Sequence, residues 1–81
     1  MNDAEILQRI NDLVTEEHTL DQQAEHSGGL SDDERARLKA LEVNLDQCWD
    51  LLRQRRARRH AGQNPDDAAT RPGETVEHYL A

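Results

Sequence analysis

Two largely apolar sets of residues interlock about a single turn, and they leave little choice of fold. In the first, Ile6, Ile10, Leu13, Glu17, Leu20 and Ala24 recur at alternating steps of four and three; in the second, Leu38, Leu41, Leu45, Cys48 and Leu52 do the same. This is the spacing of a heptad seam, in which a and d positions face a partner helix. Between the sets, Ser27-Gly28-Gly29 stops the first helix, because glycine takes the left-handed terminal conformation cheaply. Ser31 can cap a second helix, with Glu34 closing a capping box and the acids of Asp32-Asp33-Glu34 at the positive end of its dipole. A connection this short brings the helices back antiparallel. Leu20 then faces Leu38, Glu17 faces Leu41, Leu13 faces Leu45, Ile10 faces Cys48 and Ile6 faces Leu52, and every pair of numbers sums to 58. Each pair sets an a position against a d position. The same register puts Leu7 opposite Trp49 and Asp21 opposite Arg35.

The expected fold is therefore all-α: an antiparallel two-helix coiled-coil hairpin over residues 1–61, with helix 1 about 3–26 and helix 2 about 32–61. Composition agrees. With no Phe, one Trp and one Tyr, the chain lacks the aromatic stock of a β or α/β core. A lone hairpin of this size is marginal and calls for more buried surface. Leu7 and Val14 lie beside the seam on helix 1, and Trp49 lies beside it on helix 2. Two helices cannot cover both the seam and this strip, so the expectation is a homodimer closing into a four-helix bundle. Leu7, Val14, Trp49, Cys48 and Leu52 are the interface candidates. Ala61-Gly62 ends helix 2, and the acidic segment 62–81 is read as an irregular tail with at most short helical turns. Asn64-Pro65-Asp66-Asp67 could cap one such turn, and Val76, Tyr79 and Leu80 share the spacing of a docking face. A loose tail and a docked one both fit.

Charge is segregated along the chain. Residues 1–34 carry a net −9, residues 35–61 a net +5 and residues 62–81 a net −3, which together make the overall −7. Arg53, Arg55, Arg56, Arg58 and Arg59 surround the end of helix 2 as a collar rather than a stripe. The register sets Asp3 opposite Arg55, so the residues after it overhang helix 1. Three readings of the collar compete: a solvated helix end balanced by nearby acids, a dock for an acidic protein partner, or a polyanion site. For the last two the candidates are Arg55, Arg56, Arg58 and Arg59. Nucleic acid is the weaker case, because no aromatic residue is interleaved for base stacking and no face of the helix is set aside for groove reading.

Other chemistry is sparse. Cys48 reads as a small core residue, and a single cysteine excludes an intramolecular disulfide. Glu17 sits in the seam and needs a partner or partial exposure. His18, His26, His60 and His78 fall at no ligand spacing, and the Glu-x-x-His pair of helical metal sites does not occur. No nucleophile–base set and no glycine-rich phosphate loop is present. No cofactor, metal or catalytic residue is expected, and the chain is read as no enzyme. No signal peptide and no apolar run of bilayer length occurs, which points to a cytoplasmic protein without a membrane.

The run Leu45 to Arg59, LDQCWDLLRQRRARR, together with the opening MNDAEILQRINDLVTEEH, resembles the domain-of-unknown-function 2630 family of short actinobacterial proteins. The resemblance spans essentially the whole chain and implies a bacterial cytoplasmic protein. It brings no catalytic or binding residues to carry over. The functional expectation is a small non-enzymatic structural or interaction module that self-associates through its hairpin. The alternative is a regulatory binder of nucleic acid or another polyanion at the arginine collar.

Overall fold

The computed structural model describes residues 1–80. Among these it contains three α-helices, α1 (Asp3–Ser27), α2 (Asp32–His60) and α3 (Gly73–Leu80), and a 3-10 turn at Pro65–Asp67, with no strand. Both long helices start in capping boxes. Ser31 Oγ accepts from Glu34 N–H at 3.2 Å while Glu34 Oε1 accepts from Ser31 N–H at 2.9 Å. Asn2 and Glu5 make the same exchange at the start of α1, an Asn-x-x-Glu signal present in the sequence and passed over in reading it. The Ser31 box holds the Glu34 carboxyl below its ordinary range, mainly through the Ser31 N–H.

Both helices end on a left-handed glycine, Gly28 at φ 80° and Gly62 at φ 73°. Beyond them the Gly29 N–H reaches back to the Ala24 carbonyl at 2.9 Å, and the Gln63 N–H to the Arg58 carbonyl at 2.8 Å. These bonds satisfy carbonyls that the helices would otherwise leave open. A side chain with a Cβ would be strained at either φ, which is why the stops fall where glycine does.

α1 and α2 pack as an antiparallel hairpin. Ile6, Leu13 and Leu41 are wholly buried, and Ile10 and Leu51 nearly so. An ion pair between Arg55 and Asp3, with Nε to Oδ1 at 2.6 Å, joins two residues that the expected register sets opposite one another. Toward the turn the packing thins: Leu20, Ala24 and Leu38 are only half-buried. The dense half of the hairpin is the half that gains a third layer.

That layer is the C-terminal segment, which carries short helical elements and is docked. After the Schellman stop at Gly62, the chain makes the Pro65–Asp67 turn, with Asn64 capping it through an Oδ1 bond to the Asp66 N–H at 3.0 Å. It then runs back along α2 and finishes as a helix of eight residues rather than an isolated turn. Gln54 donates to the Ala69 carbonyl at 2.8 Å and Gln47 to the Arg71 carbonyl at 3.0 Å, so α2 satisfies the polar backbone of the extended stretch. Ala68 packs on the cluster of Ile6, Ile10 and Leu51, and Val76 is 1% exposed. Gly73 lies so close to α2 that a Cβ there would stand 2.5 Å from Val43 Cγ1. The side chains of Tyr79 and Leu80, expected to share the docking face of Val76, lie outside the described residues.

Candidate functional site

Seen around the circumference of α2, the seam divides two flanks. On one, Val43, Gln47, Asp50 and Gln54 meet the tail. On the other, Glu42, Trp49 and Arg56 recur at steps of seven, with Asp46 and Arg53 within a turn of Trp49. On α1 the same side carries Leu7, Val14 and Asp21, again at steps of seven. Among the described residues, nothing covers this second flank. Leu7 is 48% exposed, Val14 46% and Trp49 47%. Scattered exposed apolar residues are ordinary, but three large ones on one flank of a small helical protein make a patch.

Near the open end of the hairpin the patch deepens into a concavity of about 420 Å³. Leu7, Trp49 and Leu52 form its apolar part, and Arg53, Arg56, Arg59 and Asp3 its polar part. Three of the five interface candidates, Leu7, Trp49 and Leu52, thus meet at one place. Val14 continues the same face away from it. Cys48 does not join them. It is half-buried and lines a separate hollow of about 180 Å³ with Met1, Arg9 and Thr70, on the side of the tail. Burial pushes its thiol up, against a smaller opposing pull from the Arg9 charge, so it is a poor nucleophile.

The arginine collar separates into unlike parts. Arg55 was a binding candidate, but it is only 6% exposed. Its Nε donates to Asp3 at 2.6 Å, and its Nη1 donates to Asp66 at 3.0 Å and to the Pro65 carbonyl at 3.2 Å. It is a brace between the start of α1 and the turn of the tail, since the folded-back tail closes over it. Arg59 reaches back along the helix and donates to both oxygens of Asp3, at 3.2 and 2.8 Å. Asp3 therefore faces two guanidinium groups, and Arg59 first, then Arg55, hold its carboxyl below the ordinary range. Asp3 and Asp66 in turn push the Arg55 guanidinium further up. Arg56 and Arg58 make no ion pair among the described residues, and Arg56 is the one that faces the concavity.

Elsewhere, Glu17 is half-buried at its seam position, and the strong pairing near it belongs to its neighbour. Glu16 takes a bidentate bond from Arg37, at 2.7 and 2.6 Å. That bond lowers the Glu16 carboxyl. Asp50 is a buried acid, 5% exposed, that sequence reading missed. It accepts from Gln54 at 2.8 Å and pairs with Arg71 at 3.2 Å. The Asp50–Gln54 spacing was a weak local signal; Arg71 comes from the tail and could not be read off a helical wheel. Among the described residues, no group of three or more His, Cys, Asp or Glu could hold a metal, and no helix is long and apolar enough to cross a membrane.

What the surface offers is contact: an apolar patch at the middle, arginines toward one end and carboxylates toward the other. Residues 2–81 match the family described as "Protein of unknown function (DUF2630)". Uncharacterized proteins of Mycobacterium bovis and of two strains of Mycobacterium tuberculosis are each 49% identical to the chain over 77 residues. Those alignments cover 95% of this chain and 88% of theirs. No solved structure matches the chain.

Proposed function

The chain belongs to the DUF2630 family, and from that premise we propose that it is a small non-enzymatic interaction module that self-associates through the uncovered flank of its hairpin. The observation that carries this reading is the contrast between the two sides of α2. The molecule seals one side with its own C-terminal segment and leaves Leu7, Val14 and Trp49 bare on the other. A second hairpin laid on that side supplies the missing layer and produces a four-helix bundle. Aromatic side chains are favoured anchors at such interfaces, which suits Trp49 at the centre of the patch. The polyanion reading loses Arg55 to the interior and leaves Arg59 neutralised by Asp3, so no observation favours it over association.

Trp49 is the only tryptophan and reports directly on its own burial. Its emission is expected to move to shorter wavelength as protein concentration rises. The double substitution Leu7→Ser/Val14→Ser is expected to abolish that concentration dependence. Emission that stays at the exposed-indole wavelength over the whole range would refute self-association through this flank.

A further inference from the structure

Charges border the apolar patch on both sides, and they bear on the direction in which a second copy of the chain would meet it. Along α2, the uncovered side reads Arg56 and Arg53, then Trp49, then Asp46 and Glu42. Arg53, Arg56 and Glu42 are exposed and Asp46 half-buried. Seven residues separate Trp49 from Arg56 in one direction and from Glu42 in the other, so the two charges stand about 10 Å to either side of the indole along the helix. On α1, Leu7 and Val14 occupy the matching stretch.

We propose that two hairpins associate through this flank with their long axes antiparallel, α2 facing the partner's α2 and α1 facing the partner's α1, about a two-fold axis near Trp49. This rests on the self-association reading above and adds the direction. Rotation about such an axis exchanges the two ends of the strip. Arg56 and Arg53 then face the partner's Glu42, and Leu7, level with Trp49, meets the partner's Leu7 near the axis. Each contact away from the axis occurs twice, as an isologous interface requires. The apolar residues meet at the centre and the charges close the rim on both sides.

The opposite choice, with long axes parallel, is disfavoured by the same charges. It would gather both arginine collars at one end, where Arg56 and Arg58 have no ion pair among the described residues. It would also gather both acidic turns at the other end, where Asp32 and Asp33 are exposed. Like charges brought together across an interface oppose association and steer the partners away from that arrangement. On the tail flank, Lys39 is directed to Glu77 and Arg71 to Asp50.

Two measurements test this. In the first, Glu42→Arg and Arg56→Glu are each expected to weaken self-association roughly tenfold by setting like charges face to face. The double variant, with both changes in one chain, is expected to recover affinity to within about threefold of wild type, since the swapped charges meet again across the axis. In a parallel dimer, positions 42 and 56 lie about 20 Å apart along the bundle, so no recovery would occur and the proposal would be overturned. In the second, a spin label is placed at position 33 through Asp33→Cys, in a chain also carrying Cys48→Ser. The antiparallel dimer should give a label-to-label distance on the order of 45 Å. A dimer with a distance under about 25 Å, two helix diameters, overturns the direction while leaving self-association intact. A species of monomer mass with no dipolar coupling overturns both.

Discussion

The two flanks of α2 are built on one helix from similar residues, yet they have opposite fates. On the tail flank, Leu51 is buried beneath Ala68, Asp50 Oδ2 is shared by Gln54 and Arg71, and Val43 presses on Gly73. On the other flank, Trp49, Leu7 and Val14 stand half-exposed. The two residues that follow Trp49 are Asp50, a carboxylate, and Leu51, and both are more deeply buried than the largest side chain in the chain. Hydrophobicity alone therefore does not decide which side of a short helical protein becomes interior. What decides it is where a third segment can satisfy its own backbone, and Gln47 and Gln54 provide that on one side only.

That comparison can be broken most severely at Leu51. Leu51→Ala is expected to destabilise the protomer by about 2–5 kcal/mol through loss of buried area and the cavity left behind. Trp49→Ser, measured in dilute protein, should change protomer stability by no more than about 0.5 kcal/mol, as for other surface positions. Chemical denaturation of the two variants checks the ordering; equal losses would mean that the flanks are not different. A smaller effect is expected at Gly73→Val. The added side chain meets the stiff, β-branched Val43, and the overpacking should cost about 1–3 kcal/mol. Its signature is local, with amides of α3 exchanging faster while those of the α1–α2 seam stay protected; unchanged α3 protection would show that Gly73 does not hold the tail.

Acid should loosen the corner where the tail and α1 are braced. The Asp3, Glu16 and Glu34 carboxyls all titrate below their ordinary ranges in the folded chain. Their contribution is thus present above the unfolded-state values and is lost as pH falls through the folded ones. Wild-type thermal stability should decline as the pH drops below the ordinary carboxylate range, and Asp3→Asn should flatten part of that decline; a variant with the full wild-type acid dependence would remove Asp3 from the account. The smallest effect is kinetic. Cys48, its thiol raised by burial, should alkylate more slowly than an unhindered thiol at the same pH and reach the full rate on unfolding. Identical rates in both states would place Cys48 on the open surface.

Much of the hairpin was legible in the sequence because local rules and long-range pairing agreed. Ser31 and Glu34 mark a start, Gly28 and Gly62 mark stops, and the matching seams set Asp3 opposite Arg55. The tail was less legible for a physical reason. Its docking depends on Val76, which left only the short spacing shared with Tyr79 and Leu80, and on side chains of α2 that donate to its carbonyls, which leave no signal within residues 62–81. Arg55 illustrates the same limit. The register set it opposite Asp3, whereas its second partner, Asp66, eleven residues later, folds back to pair with it and had no local signal. The uncovered flank was visible early, since Leu7, Val14 and Trp49 fall beside the seam by spacing alone. Cys48 could not be separated from them without knowing which side the tail takes.

Sedimentation equilibrium of the wild-type chain, over a concentration series reaching into the high micromolar range, tests the central claim most directly. A chain of 9.3 kDa that uses its uncovered flank for a second copy should approach twice that mass as concentration rises, and Trp49→Ser should hold it at the single-chain mass. A wild-type mass of 9.3 kDa at every concentration would contradict the account.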